Sequence, residues 1–282
     1  MIRIISDSST LYSIEEGKKH NIDIAPLSVT INGKTYRENE DITTEEFIKM
    51  IKEGHLPISS QPSVGDVINL YEKYPDDEII NISMADGLSG TYNSACMAKN
   101  MCENSNNIEV INARTLCMPH RYLVECAAKM AEKGMSKDQI IKEVNELRKT
   151  SKSYLIPKDF DYLVRGGRLS PLVGRIAGMI NLVTVVTLSE DSTRLDKFVT
   201  TRTLKKAVGK ICDALIEAGV DSSYNIYIAH ACADDDTIEL IKKIINEKIQ
   251  NADIEVNILG AVFTTQGGPG CITIQTIKKY ID

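Results

Sequence analysis

The sequence of 282 residues lacks a continuous apolar run long enough to cross a bilayer, which takes about 20 residues. Its most apolar stretch, residues 176–188, is interrupted by Asn181, Thr184 and Thr187. The first residues also lack the apolar segment of a secretion signal, and residues 1–7 are typical of a first strand followed by a polar loop. We therefore expect a cytoplasmic protein without stable membrane insertion.

An excess of positive charge is also absent, since 33 lysines and arginines stand against 39 aspartates and glutamates, a net charge of −6. Nucleic acids and anionic membranes recruit basic surfaces, so neither is expected as a partner. The 7 cysteines form no C-x-x-C pair, and the 4 histidines lie far apart in the sequence. We interpret them as reduced, mostly buried thiols and Asp234–Asp236 as a helix cap, and we expect no metal or other cofactor.

The order of apolar and polar segments predicts an α/β fold with two domains. In the first half, short strands alternate with longer helices, which is typical of a doubly wound parallel sheet. In the second half, residues 182–188 and 194–200 predict a hairpin, so an antiparallel element is present. We predict an N-terminal doubly wound parallel-sheet domain over residues 1–152 and a C-terminal α+β domain with a mixed or antiparallel sheet over residues 153–282.

Local signals indicate where several elements begin and end. Asn32-Gly33 predicts a hairpin turn between strands at residues 24–31 and 34–36, because both residues tolerate a positive φ. Thr43 and Glu46 have the spacing of a capping box at the start of a helix. Further helices are predicted over residues 11–20, 122–132 and 171–180.

Loops rich in glycine and small hydroxyl residues follow several predicted strands. Ligands of doubly wound sheets bind at the carboxyl ends of the strands, so these loops are candidates for a binding site. Each has a structural alternative, such as a helix cap supplied by Ser8, Ser9 or Ser63. The loops are residues 6–9, 57–63, 87–95, 165–170 and 264–270.

Two of these loops carry groups suited to an anion. Residues 87–95 combine a glycine-rich turn with a helix start, where free N–H groups and the helix dipole attract negative charge. Ser89 lies in this turn, but Thr91 replaces the last glycine of a G-x-S-x-G nucleophile elbow, and no histidine has a recognisable triad spacing. Residues 165–170 contain two glycines beside Arg165 and Arg168. The two arginines can donate hydrogen bonds to a carboxylate or phosphate, or the glycines can form a helix C-cap.

Taken together and in this order, the segments resemble the DegV family, the bacterial fatty-acid-binding proteins. The resemblance covers essentially the whole chain. The segments that carry it are Ser6-Asp7-Ser8, Ala25-Pro26-Leu27, residues 60–63, residues 88–95, residues 160–168 and Gly268-Pro269-Gly270.

The resemblance implies a long-chain fatty acid such as palmitate held between two domains, with its carboxylate on hydroxyl groups and its tail in an apolar tunnel. It implies a non-catalytic carrier that presents the carboxylate to a partner, a fatty acid kinase subunit that forms an acyl phosphate. The carboxylate-binding residues would be Ser59, Ser60, Ser89 and Gln266. Residues facing the phosphate or the partner would be Arg168 and Arg202. Residues lining the tail would be Ile176, Ile180 and Phe263, although their apolar character is equally compatible with an ordinary protein core.

Two departures from the family pattern bear on this expectation. Gln266 stands where the family commonly has histidine, and a neutral amide donates a hydrogen bond but cannot become cationic. Residues 112–115 lack the Asp-Ser or Asp-Thr that often follows the preceding strand. Two alternatives stay open: a hydrolase or transferase that acts on an acyl or phosphorylated small molecule through Ser89, and a binder of another anionic small molecule.

Overall fold

The computed structural model describes residues 1–170, 173 and 182–281, so the helix expected over residues 171–180 lies outside the described residues. The chain divides into two compact units. The N-terminal unit consists of Met1–Lys149 together with Gly260–Val262, and the C-terminal unit consists of Thr150–Leu259 together with Phe263–Asp282.

The N-terminal unit contains a parallel sheet and a smaller antiparallel sheet. Its strands are β1 (Ile2–Asp7), β2 (Ile22–Ala25), β3 (Ser28–Ile31), β4 (Lys34–Arg37), β5 (Ile58–Ser60), β6 (Glu78–Ser83) and β7 (Ile108–Asn112). The parallel sheet has the order β2-β1-β6-β7, and the antiparallel sheet has the order β4-β3-β5. The parallel sheet confirms the fold class predicted for this half of the chain.

Four of the six helices of this unit begin with a side-chain cap, from Ser13, Thr43, Ser63 and Ser136. The six helices are α1 (Ile14–Lys19), α2 (Thr44–Lys52), α3 (Val64–Glu72), α4 (Thr91–Met101), α5 (Met118–Glu132) and α6 (Lys137–Arg148). The capping box of Thr43 and Glu46 at α2 is confirmed. The start predicted for the first helix, at residue 11, is wrong: Leu11 has a left-handed φ of 66°, and Ser13 caps α1 instead. Helix α5 starts earlier than predicted, with a proline in its first turn.

The hairpin at Asn32-Gly33 is confirmed, since these residues have φ values of 50° and 72° and join β3 to β4. The single strand expected over residues 24–31 is wrong, because β2 and β3 belong to different sheets. Pro26 lies between them and cannot donate a ladder hydrogen bond. The loop expected over residues 57–63 also proves to contain a strand, β5, which pairs with β3.

The C-terminal unit is built on one mixed sheet. Its strands are β8 (Lys152–Ile156), β9 (Val183–Leu188), β10 (Leu195–Thr201), β11 (Tyr224–His230), β12 (Asp253–Ile258) and β13 (Ile272–Lys278). Their order is β10-β9-β8-β13-β11-β12, and the β11–β12 pair is parallel while the other pairs are antiparallel. This arrangement confirms the predicted mixed sheet and the β9–β10 hairpin. Strand β13, which the sequence analysis missed, lies between β8 and β11.

The described helices of this unit are α7 (Asp161–Gly166), α8 (Leu204–Glu217) and α9 (Asp235–Lys248). A further helix, α10 (Ala261–Gly267), has its first two residues in the N-terminal unit and the rest in this one. The predicted cap at Asp234 is confirmed, since its carboxylate accepts a hydrogen bond from Thr237 N at 2.8 Å. The loop predicted over residues 264–270 is wrong in its first part, because residues 264–267 belong to α10. Buried aliphatic side chains from α8, α9 and the sheet form the core, among them Ile211, Ile241 and Ile274, and each contributes about 1.5–3 kcal/mol.

Candidate ligand-binding site

Ser89 lies in the turn between β6 and α4, half-buried, next to the first N–H groups of the helix. Its Oγ accepts a hydrogen bond from Thr91 N at 3.3 Å and lies 2.8 Å from Thr91 Oγ1. When the Thr91 hydroxyl donates to Ser89, the Ser89 hydroxyl has its own proton available for a ligand. The positive end of the α4 dipole favours a ligand that is an anion.

Gln61 connects the segment after β5 to the same helix start. Its Nε2 donates a hydrogen bond to Ser94 Oγ at 2.6 Å. A Cβ atom at Gly90 would lie 2.0 Å from Gln61 Oε1, so the amide passes directly over the Gly90 backbone. Gln61 therefore connects the loop containing Ser89 to the segment that directly follows Ser59 and Ser60.

Ser59 and Ser60 are adjacent residues of β5, and adjacent side chains of a strand point to opposite faces. Ser59 is half-buried and pairs with the buried Val29, whereas Ser60 is exposed and pairs with Ser28. The two hydroxyls therefore leave different faces of the sheet. A ligand bound on one face of β5 can therefore contact only one of these two side chains.

In the C-terminal unit, Gln266 lies against the end of α7. A Cβ atom at Gly166 would lie 2.1 Å from Gln266 Oε1, so the amide contacts the Gly166 backbone. Gly167 ends α7 with a φ of 69°, and Arg168 Nη1 donates to Gly166 O at 2.5 Å. Gln266 and Arg168 therefore both contact Gly166.

Arg202 lies apart from Arg168. Leu195 N, at the start of β10, donates a hydrogen bond to Arg168 O at 2.9 Å, whereas the exposed Arg202 follows the last residue of the strand. The strand has 7 residues and rises about 3.3 Å per residue, which separates its ends by roughly 20 Å. Among the residues expected to line a tail, Phe263 is half-buried in α10, while Ile176 and Ile180 lie outside the described residues.

The hydroxyl groups of the first loop are engaged inside the N-terminal unit. Ser6 Oγ donates to Ile82 O at 2.7 Å, and Ser9 Oγ lies 2.8 Å from Nδ1 of His120, a fully buried side chain. Asp7 accepts hydrogen bonds from the backbone N–H groups of Ser9 and Met84, both at 3.0 Å. The expectation that Ser8 or Ser9 caps a helix is wrong, and the histidine at the centre of this network was not predicted.

Glu38 is a second buried group that the sequence analysis missed. Its side chain has no exposed surface, and its carboxylate accepts hydrogen bonds from Ser8 Oγ at 2.7 Å and from Val262 N at 2.8 Å. Burial raises the pKa of Glu38 from its ordinary value of 4.5 to about 7, with a further contribution from the charge of Asp7, while the two hydrogen bonds act in the opposite direction. In the sequence it is one charged residue within a polar run, so no local signal marks it.

Known proteins provide a direct comparison. The family model described as "Uncharacterised protein, DegV family" matches residues 1–279. The chain belongs to the DegV family. A DegV domain-containing protein of Staphylococcus aureus (strain N315) is 31% identical over 279 residues, which is 98% of each chain.

Solved DegV structures share the fold over the whole chain. The structure described as DegV, a fatty acid binding protein from Bacillus subtilis, is 28% identical, covers 99% of each chain and has a TM-score of 0.85. A Thermotoga maritima protein, described as revealing fatty acid binding function, is 26% identical over 99% of each chain with a TM-score of 0.81. A Thermus thermophilus DegV protein with 24% identity has a TM-score of 0.88 and supports the fold alone.

Two further observations concern this DegV chain. In residues 1–170, 173 and 182–281, no helix combines the length and apolar character that a membrane span requires. The same part of the chain contains no cluster of three or more histidine, cysteine, aspartate or glutamate side chains arranged to hold a metal ion.

Proposed function

We propose that this DegV protein binds a long-chain fatty acid, such as palmitate, without a cofactor and without catalysing a reaction itself. The observation that carries the proposal is its similarity, over 99% of both chains, to the Bacillus subtilis structure described as a fatty acid binding protein. The arrangement of Ser89 at the start of α4 supports it, because a hydroxyl donor at the positive end of a helix suits a carboxylate.

Ser89 is the central carboxylate donor in this proposal. A hydrogen bond to a charged group contributes about 1.5–3 kcal/mol. Ser59 is its companion, because Gln61, two residues further on, contacts Gly90 beside Ser89. Ser60 points to the other face of β5, so in this proposal it donates to the carboxylate only if Ser59 does not. Gln266 is proposed as a further carboxylate ligand, through the neutral N–H donors of its amide.

The tail provides most of the affinity. A chain of about 16 carbons gains roughly 12 kcal/mol on burial, before the entropic costs of binding. Phe263, half-buried in α10, is the described candidate for contact with the tail.

We further propose that the bound carboxylate is presented to a partner kinase that forms an acyl phosphate. Arg168 supports this step, since a guanidinium group beside a glycine turn can make two parallel hydrogen bonds to a phosphate. Arg202, at the other end of β10, then serves partner contact rather than the same phosphate.

A hydrolase acting through Ser89 has less support. Within the described ranges, the hydrogen-bond partners of Ser89 are Thr91 and Ala85, and no histidine contacts its hydroxyl. A serine nucleophile needs an adjacent general base within hydrogen-bond distance. His120 is buried and bound to other serines.

The proposal is tested by native mass spectrometry of the protein purified from cells, followed by palmitate titration of the delipidated protein. A co-purified long-chain acid and saturable binding are expected. Ser89→Ala should weaken palmitate binding by about tenfold or more, while Asn100→Ala, exposed at the far end of α4, serves as the matched control. Absence of bound acid and of saturable binding would refute the proposal, and turnover of acyl esters by the protein alone would favour the hydrolase.

A further inference from the structure

Glu38 joins segments that are far apart in the sequence. Its backbone N–H donates to Leu27 O at 2.8 Å, and its carboxylate Oε2 accepts from Ser8 Oγ at 2.7 Å. The other oxygen, Oε1, accepts from Val262 N at 2.8 Å. A fully buried carboxylate therefore holds the chain at the start of α10.

The backbone around Gly260 covers this carboxylate. A Cβ atom at Gly260 would lie 2.4 Å from Glu38 Oε1 and 3.0 Å from its Cδ. Nothing larger than glycine fits at residue 260 unless the carboxylate moves. Release of residues 260–262 would consequently uncover Glu38 and admit water to it.

Helix α10 is short, with 7 residues, so the position of its first turn determines the position of its last. The N–H group of Val262 belongs to that first turn and has no acceptor inside the helix. Gln266 stands about one helical turn after Val262, on the same side of the helix.

We infer that Glu38 is a positioning residue for ligand binding: by holding the first turn of α10, it sets the position of Gln266. The inference rests on the proposed function, because Gln266 matters only if it faces the bound carboxylate. Glu38 itself touches no ligand in this arrangement.

The contact makes binding sensitive to pH. Among residues 1–170, 173 and 182–281, Asp7 is the titratable side chain facing Glu38, and the neighbouring Ser8, Asn39 and Val262 N do not titrate. A buried carboxyl group with a pKa of about 7 is more stable protonated, whereas an exposed one with an ordinary pKa is charged. By linkage, the conformation that buries Glu38 becomes less favourable as the pH rises through 7.

The test compares palmitate affinity of the delipidated full-length protein with that of Glu38→Gln between pH 6 and pH 8.5. Titration of the palmitate carboxylate affects both proteins equally, so it cancels in the ratio of affinities. The wild-type affinity should fall by about threefold or more relative to Glu38→Gln over this range, because the glutamine stays neutral. Equal pH profiles for the two proteins would overturn the inference.

Glu40→Gln is the matched control. Glu40 lies two residues away and accepts a hydrogen bond from Ile14 N, at the start of α1, at 2.6 Å, but its side chain is exposed. Its pH profile should follow that of the wild type. A profile like that of Glu38→Gln would show that any lost carboxylate has the effect, which would also overturn the inference.

A second variant changes the contact between the Glu38 carboxylate and residues 260–262 without changing a charge. Gly260→Ala should displace the Glu38 carboxylate, speed amide hydrogen exchange at Val262 but not at Ile14, and weaken palmitate binding by about threefold or more. Unchanged Val262 exchange or unchanged affinity in this variant would refute the positioning role while leaving the proposed function intact. A wild-type protein that binds no palmitate would refute both.

Discussion

Replacing Glu38 by glutamine should change how the stability of the protein depends on pH. The pKa of this carboxyl is raised from 4.5 to about 7 by burial. A raised pKa means that the folded state binds the proton more tightly than the unfolded state. The stability that goes with the protonated form is therefore fully present below about pH 4.5 and is lost as the pH rises to about 7.

The size of the effect follows from the two pKa values. At about 1.4 kcal/mol per pKa unit, the full rise from 4.5 to about 7 corresponds to between about 3 and 4 kcal/mol of unfolding free energy, a small part of which is already lost at pH 4.5. Glutamine has nearly the same shape as glutamate and no charge, so the unfolding free energy of Glu38→Gln does not decrease in this way as the pH rises. The difference in stability between Glu38→Gln and the wild type should therefore grow by about 3 kcal/mol between pH 4.5 and pH 8.

Urea unfolding of the delipidated proteins at several pH values measures this difference. Far-UV circular dichroism is the suitable signal, since the chain has no tryptophan. The midpoints should separate with pH while the m-values stay equal. Glu40→Gln, which removes an exposed carboxylate nearby, should show no comparable separation. A difference that stays constant from pH 4.5 to pH 8 would refute the argument that Glu38 is buried in its charged form above pH 7.

Three further predictions concern the candidate site. Gly90→Ala should weaken palmitate binding with little change in the free energy of unfolding, because the new methyl group would lie 2.0 Å from Gln61 Oε1 and only the end of this exposed side chain has to move. Gly209→Ala, whose Cβ would be 3.8 Å from its nearest neighbour, is the control, and equal effects of both variants on binding would contradict the reasoning. Gln266→His should bind palmitate more tightly than the wild type below neutral pH, provided that the fatty acid stays ionised. Identical pH profiles of palmitate affinity for the two proteins would show that the side chain points away from the ligand. Arg168→Ala should bind palmitate nearly normally yet fail to support phosphorylation by a partner kinase, measured as acyl phosphate formed, whereas equal losses in both assays would make it a simple carboxylate donor.

Elements with local signals were predictable from the sequence. The hairpin at Asn32-Gly33, the capping box at α2 and the cap of α9 each depend on residues close together in the chain, and the structure confirms all three. The parallel sheet followed from the alternation of strands and helices, which is also a local pattern.

The missed elements depend on distant partners. Helix α10 lies in a glycine-rich segment, and its first turn is held by Glu38, more than 200 residues earlier in the chain. Strand β5 has only 3 residues and exists because β3 pairs with it. The burial of Glu38 was equally invisible, since burial of a charged residue depends on which segments cover it and not on its neighbours in sequence.

The chemistry of the proposed head-group donors suits a carboxylate that must still react. Ser59, Ser89 and Gln266 are neutral donors, and the helix dipole at α4 adds partial positive charge rather than a full cation. A guanidinium pair would bind the carboxylate more strongly but would also neutralise it. Neutral donors leave more negative charge on the oxygen that attacks a phosphoryl group, while the tail supplies the affinity. Under the proposed function, donors of this kind would hold the fatty acid while keeping its carboxylate nucleophilic for the partner kinase.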